Sequence, residues 1–155
     1  MAVTSSLVTK LRKDFPHIHF EKSDLFRWSP EEETVYIGAM RTARDRATLL
    51  HELGHAMCGH SDFTHDIELL KMEREAWTKA QAAAPNYGVE IDEGIVEEAL
   101  DTYRDWLDAR SRCPNCHQTG VQESDAIYQC LICHVGWRVN DARQCGLRRY
   151  RLEID

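Results

Sequence analysis

The sequence predicts an α+β chain in two parts, a compact domain over residues 1–110 and a cysteine-rich subdomain over residues 111–155. Three observations lead there. Short apolar runs crowd into residues 17–38, and three longer stretches with helical apolar spacing follow between Ala43 and Arg110. Beyond Ser111 the composition turns short-looped, and four of the six cysteines fall between Cys113 and Cys133.

The elements follow in order. Ser5 and Ser6 are set to cap a short helix carrying Leu7, Leu11 and Phe15, which Pro16 stops. Residues 17–22, 25–28 and 34–38 read as three strands, the last two divided by Ser29-Pro30. A helix spans Ala43 to Met57, with Leu49, Leu50, Leu53 and Met57 on its buried side and Gly59 as terminator. A second runs from Asp66 to Ala84 with Leu69, Met72, Ala76, Trp77 and Ala80 as its apolar stripe, and Pro85-Asn86-Tyr87-Gly88 breaks it. A third covers Ile91 to Arg110, with Ile95, Ala99, Tyr103 and Leu107 as its stripe.

Composition bounds the function. The net charge is −7, divided as −8 over residues 1–110 and +1 over residues 111–155, so the chain as a whole is no generic polyanion binder. The N-terminal segment lacks a signal-peptide pattern, and the apolar runs are too short to span a bilayer. CxxC pairs suggest metal binding in a reducing compartment more than a disulfide framework, so the expected location is cytoplasmic.

The most informative stretch is His51-Glu52-Leu53-Gly54-His55. Two histidines four residues apart lie one turn apart on a helix, so both imidazoles reach one Zn²⁺. Glu52, beside the first, is placed to act as general base on the water that such a zinc activates. Gly54 keeps one face of the helix slim. Catalytic zinc takes three protein ligands and keeps one position open. A third histidine six residues after the second is one known layout, but Ser61 stands there. The remaining candidates are His60, His65, Glu68, Glu73 and Glu75. His60 follows Gly59 too closely to fold back onto the metal. Glu75, on the next helix, is preferred; Glu73 lies about 200° around that helix from it and, with Glu68, is assigned to a solvated face.

With Glu73-Arg74-Glu75-Ala76-Trp77 following the motif, residues 1–110 resemble the ImmA/IrrE family of bacterial and phage metallopeptidases. The resemblance implies a compact zincin-like domain, a small sheet plus three to four helices, in which a motif helix and a second helix carry the site. It implies His51, His55 and Glu75 as ligands of a catalytic zinc and Glu52 as the base. Family members cut a helix-turn-helix repressor encoded beside them and so release phage, mobile-element or defence genes. The short length and cysteine-rich tail look most like the peptidases of anti-phage CBASS operons.

Cys113-Pro114-Asn115-Cys116 and Cys130-Leu131-Ile132-Cys133 are two CxxC knuckles separated by 13 residues, and their four thiolates close a structural zinc site. One catalytic and one structural Zn²⁺ are therefore expected. With little apolar material in this stretch, metal binding supplies its folding energy, and Trp137 covers the site. Cys58 reads as a small buried hydrophobe. Cys145 is a candidate substitute for a knuckle cysteine, in which case a released Cys113 is a candidate switch ligand for the open position on the catalytic zinc. Arg138, Arg143, Arg148, Arg149 and Arg151, interleaved with aromatics, suit single-stranded DNA as an activating partner, against the plainer reading of a solvated basic surface.

Two rivals stand beside the regulatory endopeptidase. One is a SprT-like protease acting on DNA-bound proteins, with His65 as third ligand. The other is a non-catalytic DNA-binding zinc module. For the oxyanion partner, Tyr87, Tyr103 and His60 are the candidates.

Overall fold

The computed structural model describes residues 2–143 and 145–153 and, for residues 2–5, the backbone alone. Among these are four α-helices and two small sheets, as the α+β reading expects. They form two compact units. One comprises the residues up to Ser61 together with Met72–Val96, the other Asp62–Lys71 together with the residues from Glu97 onward.

In the first unit, helix α1 (Ala2–Asp14) buries Leu7 and Leu11. It starts upstream of the expected cap, so Ser6 lies within it, while the Ser5 side chain falls outside the described residues. Strands β1 (His19–Lys22), β2 (Arg27–Ser29) and β3 (Thr34–Ile37) follow. The sheet order is β1-β3-β2, with β1 parallel and β2 antiparallel to the central β3, so β2 is an edge strand. Phe20, Val35 and Ile37 supply its buried face. β2 begins two residues later than expected, leaving Leu25 exposed.

Helix α2 (Ala43–Cys58) opens on a capping box: the Asp45 amide donates to Thr42 Oγ1, and the Thr42 amide donates to Asp45 Oδ2 at 2.7 Å. Gly59, at φ 65°, closes it in the left-handed region. Leu49, Leu50 and Leu53 are fully buried, but Met57, expected beside them, is exposed. Helix α3 (Asp66–Ala83) continues into a 3₁₀ turn over Ala84–Tyr87. Within this unit α2 and α3 meet at Gly54, where an added Cβ would stand 2.2 Å from the Ala76 carbonyl oxygen. The slim face expected at Gly54 thus lets the motif helix touch the α3 backbone.

In the second unit, helix α4 (Glu93–Ser111), whose first turn belongs to the first unit, leads to strands β4 (Val121–Ser124), β5 (Ile127–Gln129), β6 (Gly136–Val139) and β7 (Arg149–Arg151). These form an antiparallel meander in sequence order. The buried face of α4 carries Val96, Leu100, Trp106 and Arg110, while the expected stripe of Ile95, Ala99, Tyr103 and Leu107 is half-buried. The reason is polar. Arg110 Nε donates to Asp66 Oδ2 at 2.7 Å and its Nη1 to the Asn140 carbonyl at 2.6 Å, and the Tyr128 hydroxyl donates to the same Asp66 carboxylate. Gln122 Oε1 accepts from the Asp66 amide, and Trp137 Nε1 donates to the Arg110 carbonyl. Buried charges are tolerated where paired and hydrogen-bonded in this way. The second unit therefore extends beyond the expected residues 111–155 to include the start of α3 and all of α4 after its first turn. No helix among the described residues is long and apolar enough to cross a membrane.

Candidate metal centre

The first unit places His51 and His55 one turn apart on α2, both buried, with their Nε2 atoms 3.1 Å from each other. The third group facing them is Glu73. His51 Nε2 lies 2.9 Å from Glu73 Oε2, and His55 Nε2 lies 3.3 Å from Glu73 Oε1. The expectation of Glu75 as third ligand is therefore corrected: its side chain is 62% exposed and turned toward His60, whereas Glu73 is 5% exposed. The two glutamates lie about 200° apart around α3, and it is Glu73 that faces the histidines. Leu69, Glu73, Ala76 and Ala80 share one buried face of α3, so the apolar stripe already singled out Glu73 as the carboxylate within it.

The donor set fits a metal. Zinc–nitrogen bonds of about 2.0–2.1 Å set tetrahedral edges of about 3.3 Å, close to the three separations around this triangle. A carboxylate on an apolar stripe is costly unless charge-compensated, and Glu73 Oε2 accepts no directed hydrogen bond despite its contact with His51. Burial alone would raise the Glu73 pKa, while His51 and His55, wherever they donate or carry charge toward it, lower it. Trp77 stacks on His51 at 4.3 Å and fixes the ring plane, while His51 Nδ1 has no partner. Glu52, half-buried, turns toward the edge of the sheet, where Oε2 accepts the Trp28 amide at 2.8 Å.

His60 stays out of the His51–His55–Glu73 group, as expected, but folds back onto the outer side of the His55 ring. The left-handed Gly59 lets the His60 amide donate to the His55 carbonyl, and the two Nδ1 atoms then stand 2.9 Å apart. Cys58 is half-buried, and its thiol pKa is raised by burial and by Glu75. Glu68 accepts the Thr64 and His65 amides at the start of α3, a capping role consistent with a solvated face. His65 belongs to no metal-ligating group among the described residues. Of the oxyanion candidates, Tyr87 donates to Asp14, and Tyr103 lies in the second unit.

In the second unit Cys113, Cys116, Cys130 and Cys133 come together, with Cys113 and Cys133 sulfurs 3.6 Å apart and Cys116 and Cys130 sulfurs 3.4 Å apart. Zinc–sulfur bonds of about 2.3 Å set tetrahedral edges of about 3.8 Å, so the cluster fits zinc. The two knuckles repeat one design. His117 and His134 are left-handed at φ 64° and 63°, and their amides close each turn onto the carbonyls of Cys113 and Cys130. Backbone amides held by the turn pull the Cys133 thiol down to about 6 and also lower Cys130. Trp137 is fully buried among the cysteines and stacks on Tyr128, as a cover should. Gly120 is needed beneath it, since a Cβ there would stand 2.3 Å from the indole.

One expectation about the cysteines is corrected. Cys145 is exposed and outside the cluster, so it substitutes for no knuckle residue. Cys113 is fully buried within the four-cysteine cluster. The arginines do not form one strip. Arg138 lies opposite Tyr150 on one face of the β6–β7 ladder, while Arg149 and Arg151 pair with Val139 and Trp137 on the other. Arg149 donates to the Arg112 carbonyl, Arg143 stacks over Trp106, and Arg148 is exposed.

Comparison with protein-family models, curated proteins and solved structures finds no match to this chain.

Proposed function

We propose that this chain is a zinc-dependent endopeptidase of zincin-like fold, resembling the ImmA/IrrE metallopeptidases, whose substrate is a helix-turn-helix transcriptional repressor. The observation that carries the reading is the convergence of His51 Nε2, His55 Nε2 and the buried Glu73 carboxylate at 2.9–3.3 Å, with Glu52 one residue along the same helix. This is the three-ligand set of a hydrolytic zinc, whereas a purely structural site has no use for a neighbouring base.

When bound there, Zn²⁺ would acidify the attacking water and polarise the scissile carbonyl. The chain's own residues do the rest. Glu52 takes the proton from water and returns it to the leaving amine. The Trp28 amide holds the Glu52 carboxylate toward β2. Among the described residues β2 pairs with no strand other than β3, and its free edge, beside the Glu52 contact to the Trp28 amide, is where an extended stretch of substrate can add as a further strand. Trp77 keeps His51 from rotating off the site.

The four-cysteine site is proposed as a structural zinc, closed to substrate. A role in the cytoplasm, in derepressing phage, mobile-element or anti-phage defence genes, follows from the resemblance. Single-stranded DNA as activator rests on the exposed Arg138, Arg143, Arg148 and Arg151 and predicts salt-sensitive binding lost on their replacement. A SprT-like role is less well supported, because its third ligand would be His65.

The test is to incubate the zinc-loaded protein with a helix-turn-helix repressor, taken first from any neighbouring reading frame, and read fragments by mass spectrometry. Wild type is expected to cut at one site, and Glu52→Gln to lose about 10²–10⁴-fold in rate while keeping its zinc. Equal regulation by both proteins would favour the non-catalytic DNA-binding module.

A further inference from the structure

His60 and Glu75 take no part in the chemistry above, yet they form an unbroken line to one ligand. His60 Nδ1 stands 2.9 Å from His55 Nδ1, and His60 Nε2 stands 2.9 Å from Glu75 Oε2. The imidazole is buried while the carboxylate reaches solvent. The position is enforced twice over: Gly59 turns the chain back so that the His60 amide bonds the His55 carbonyl, and Trp28 Nε1 donates to the His60 carbonyl at 2.9 Å.

Hydrogen counting gives this line a direction. A neutral imidazole carries one N–H, and a carboxylate only accepts. Glu75 therefore takes the proton on His60 Nε2, which leaves His60 Nδ1 as an acceptor. That atom can be satisfied only if His55 carries its proton on Nδ1. His55 Nε2 is then a bare lone pair, and it is the atom that faces Glu73 and His51. The opposite arrangement, with His55 Nε2–H given to Glu73 Oε1 at 3.3 Å, would put a proton on the proposed ligand nitrogen and leave two acceptor nitrogens facing each other at 2.9 Å between His55 and His60. His51 has no such device, since its Nδ1 is unpartnered.

We propose that Glu75 and His60 are positioning residues that lock His55 in the Nδ1–H tautomer and so raise the metal affinity of the His51–His55–Glu73 site. The inference rests on that ligand set and goes beyond it, giving Glu75 a role one imidazole removed from the metal. Partners of this kind fix the tautomer and orientation of ligating histidines, and their loss costs about 10–100-fold in metal affinity.

The experiment uses the full chain, with zinc affinity measured by chelator competition and the His55 tautomer read by long-range ¹H–¹⁵N correlation before zinc is added. In wild type, His55 is expected to be protonated on Nδ1. Glu75→Ala and His60→Phe should each weaken the non-cysteine zinc about 10–100-fold and shift His55 toward the Nε2–H form. Glu75→Gln, which keeps a neutral acceptor, should lose less. Adding Glu75→Ala to His60→Phe should lose nothing more, because the line is already cut at His60. Circular dichroism and the four-cysteine zinc, unchanged in each variant, would exclude misfolding. Glu73→Ala is the control for the underlying site: if it leaves zinc binding intact, the ligand set itself is wrong. If it abolishes binding while Glu75→Ala and His60→Phe change neither affinity nor tautomer, the lock alone is overturned. An additional zinc per chain that disappears on Cys58→Ser would also overturn it, showing that Cys58, His60 and Glu75 hold their own metal.

Discussion

Cys113, Cys116, Cys130 and Cys133 come from two copies of one tight turn, each closed by the same amide bond and the same left-handed histidine. His51, His55 and Glu73 come instead from two helices that touch where Gly54 meets Ala76. The first arrangement is local and complete, with four sulfurs around one point and Trp137 over them. The second depends on helix packing and converges three groups, with Glu52 beside them and an exposed carboxylate behind. The lesson is that paired ligands supplied by turns close a site, while ligands supplied by helix faces leave room for substrate and for a supporting shell.

That contrast can be broken in order of size. Stripping zinc from the cysteine site should be the largest perturbation, because apparent binding energies of about 10–16 kcal/mol serve as folding energy in such modules. Hydrogen exchange should then show residues 113–139 losing protection while the amides of α2 persist. Equal loss in both would contradict the separation of the two sites.

Next in size is the buried ion pair that holds the second unit together. Asp66→Ala leaves the Arg110 guanidinium without its carboxylate and should destabilise the protein by about 3–5 kcal/mol in urea unfolding. A loss under about 1 kcal/mol, the scale of an exposed pair, would mean that this network is solvated.

Gly54→Ala should follow, at about 1–3 kcal/mol of stability, with a loss of zinc from the His–Glu site because α2 must move off α3. Retained stability with full zinc would show that the helices separate without cost. The smallest effect belongs to the exposed arginines: Arg148→Ala and Arg151→Ala should change stability by under about 0.5 kcal/mol, whatever they do to nucleic-acid binding.

The local parts of this molecule were readable in the sequence. The CxxC spacing specifies a turn that needs nothing beyond itself, and HExxH specifies two side chains on one helix. Three strands, the break at Gly59 and the long helices were visible because their signals are periodic or conformational. The third ligand depends on which face of α3 meets α2. That face was written in Leu69, Ala76 and Ala80, and Glu73 lies on it. Spacing alone places the two glutamates about 200° apart on α3 without saying which side meets α2. The buried face of α4 runs through Val96, Leu100 and Trp106 to Arg110, a charged residue that no apolar pattern would place in a core and that is buried through Asp66. Gly59 ends α2 as its position suggests, but its left-handed turn also brings His60 back against His55, which spacing alone does not announce.

The most direct test of the account is zinc stoichiometry by native mass spectrometry on the wild type, Glu73→Ala and Cys130→Ser. Two zinc ions per chain are expected in the wild type, and one in each variant. In Glu73→Ala the remaining ion should resist mild chelation. A wild type holding a single ion, or a Glu73→Ala protein still holding two, would contradict a hydrolytic metal held by His51, His55 and Glu73.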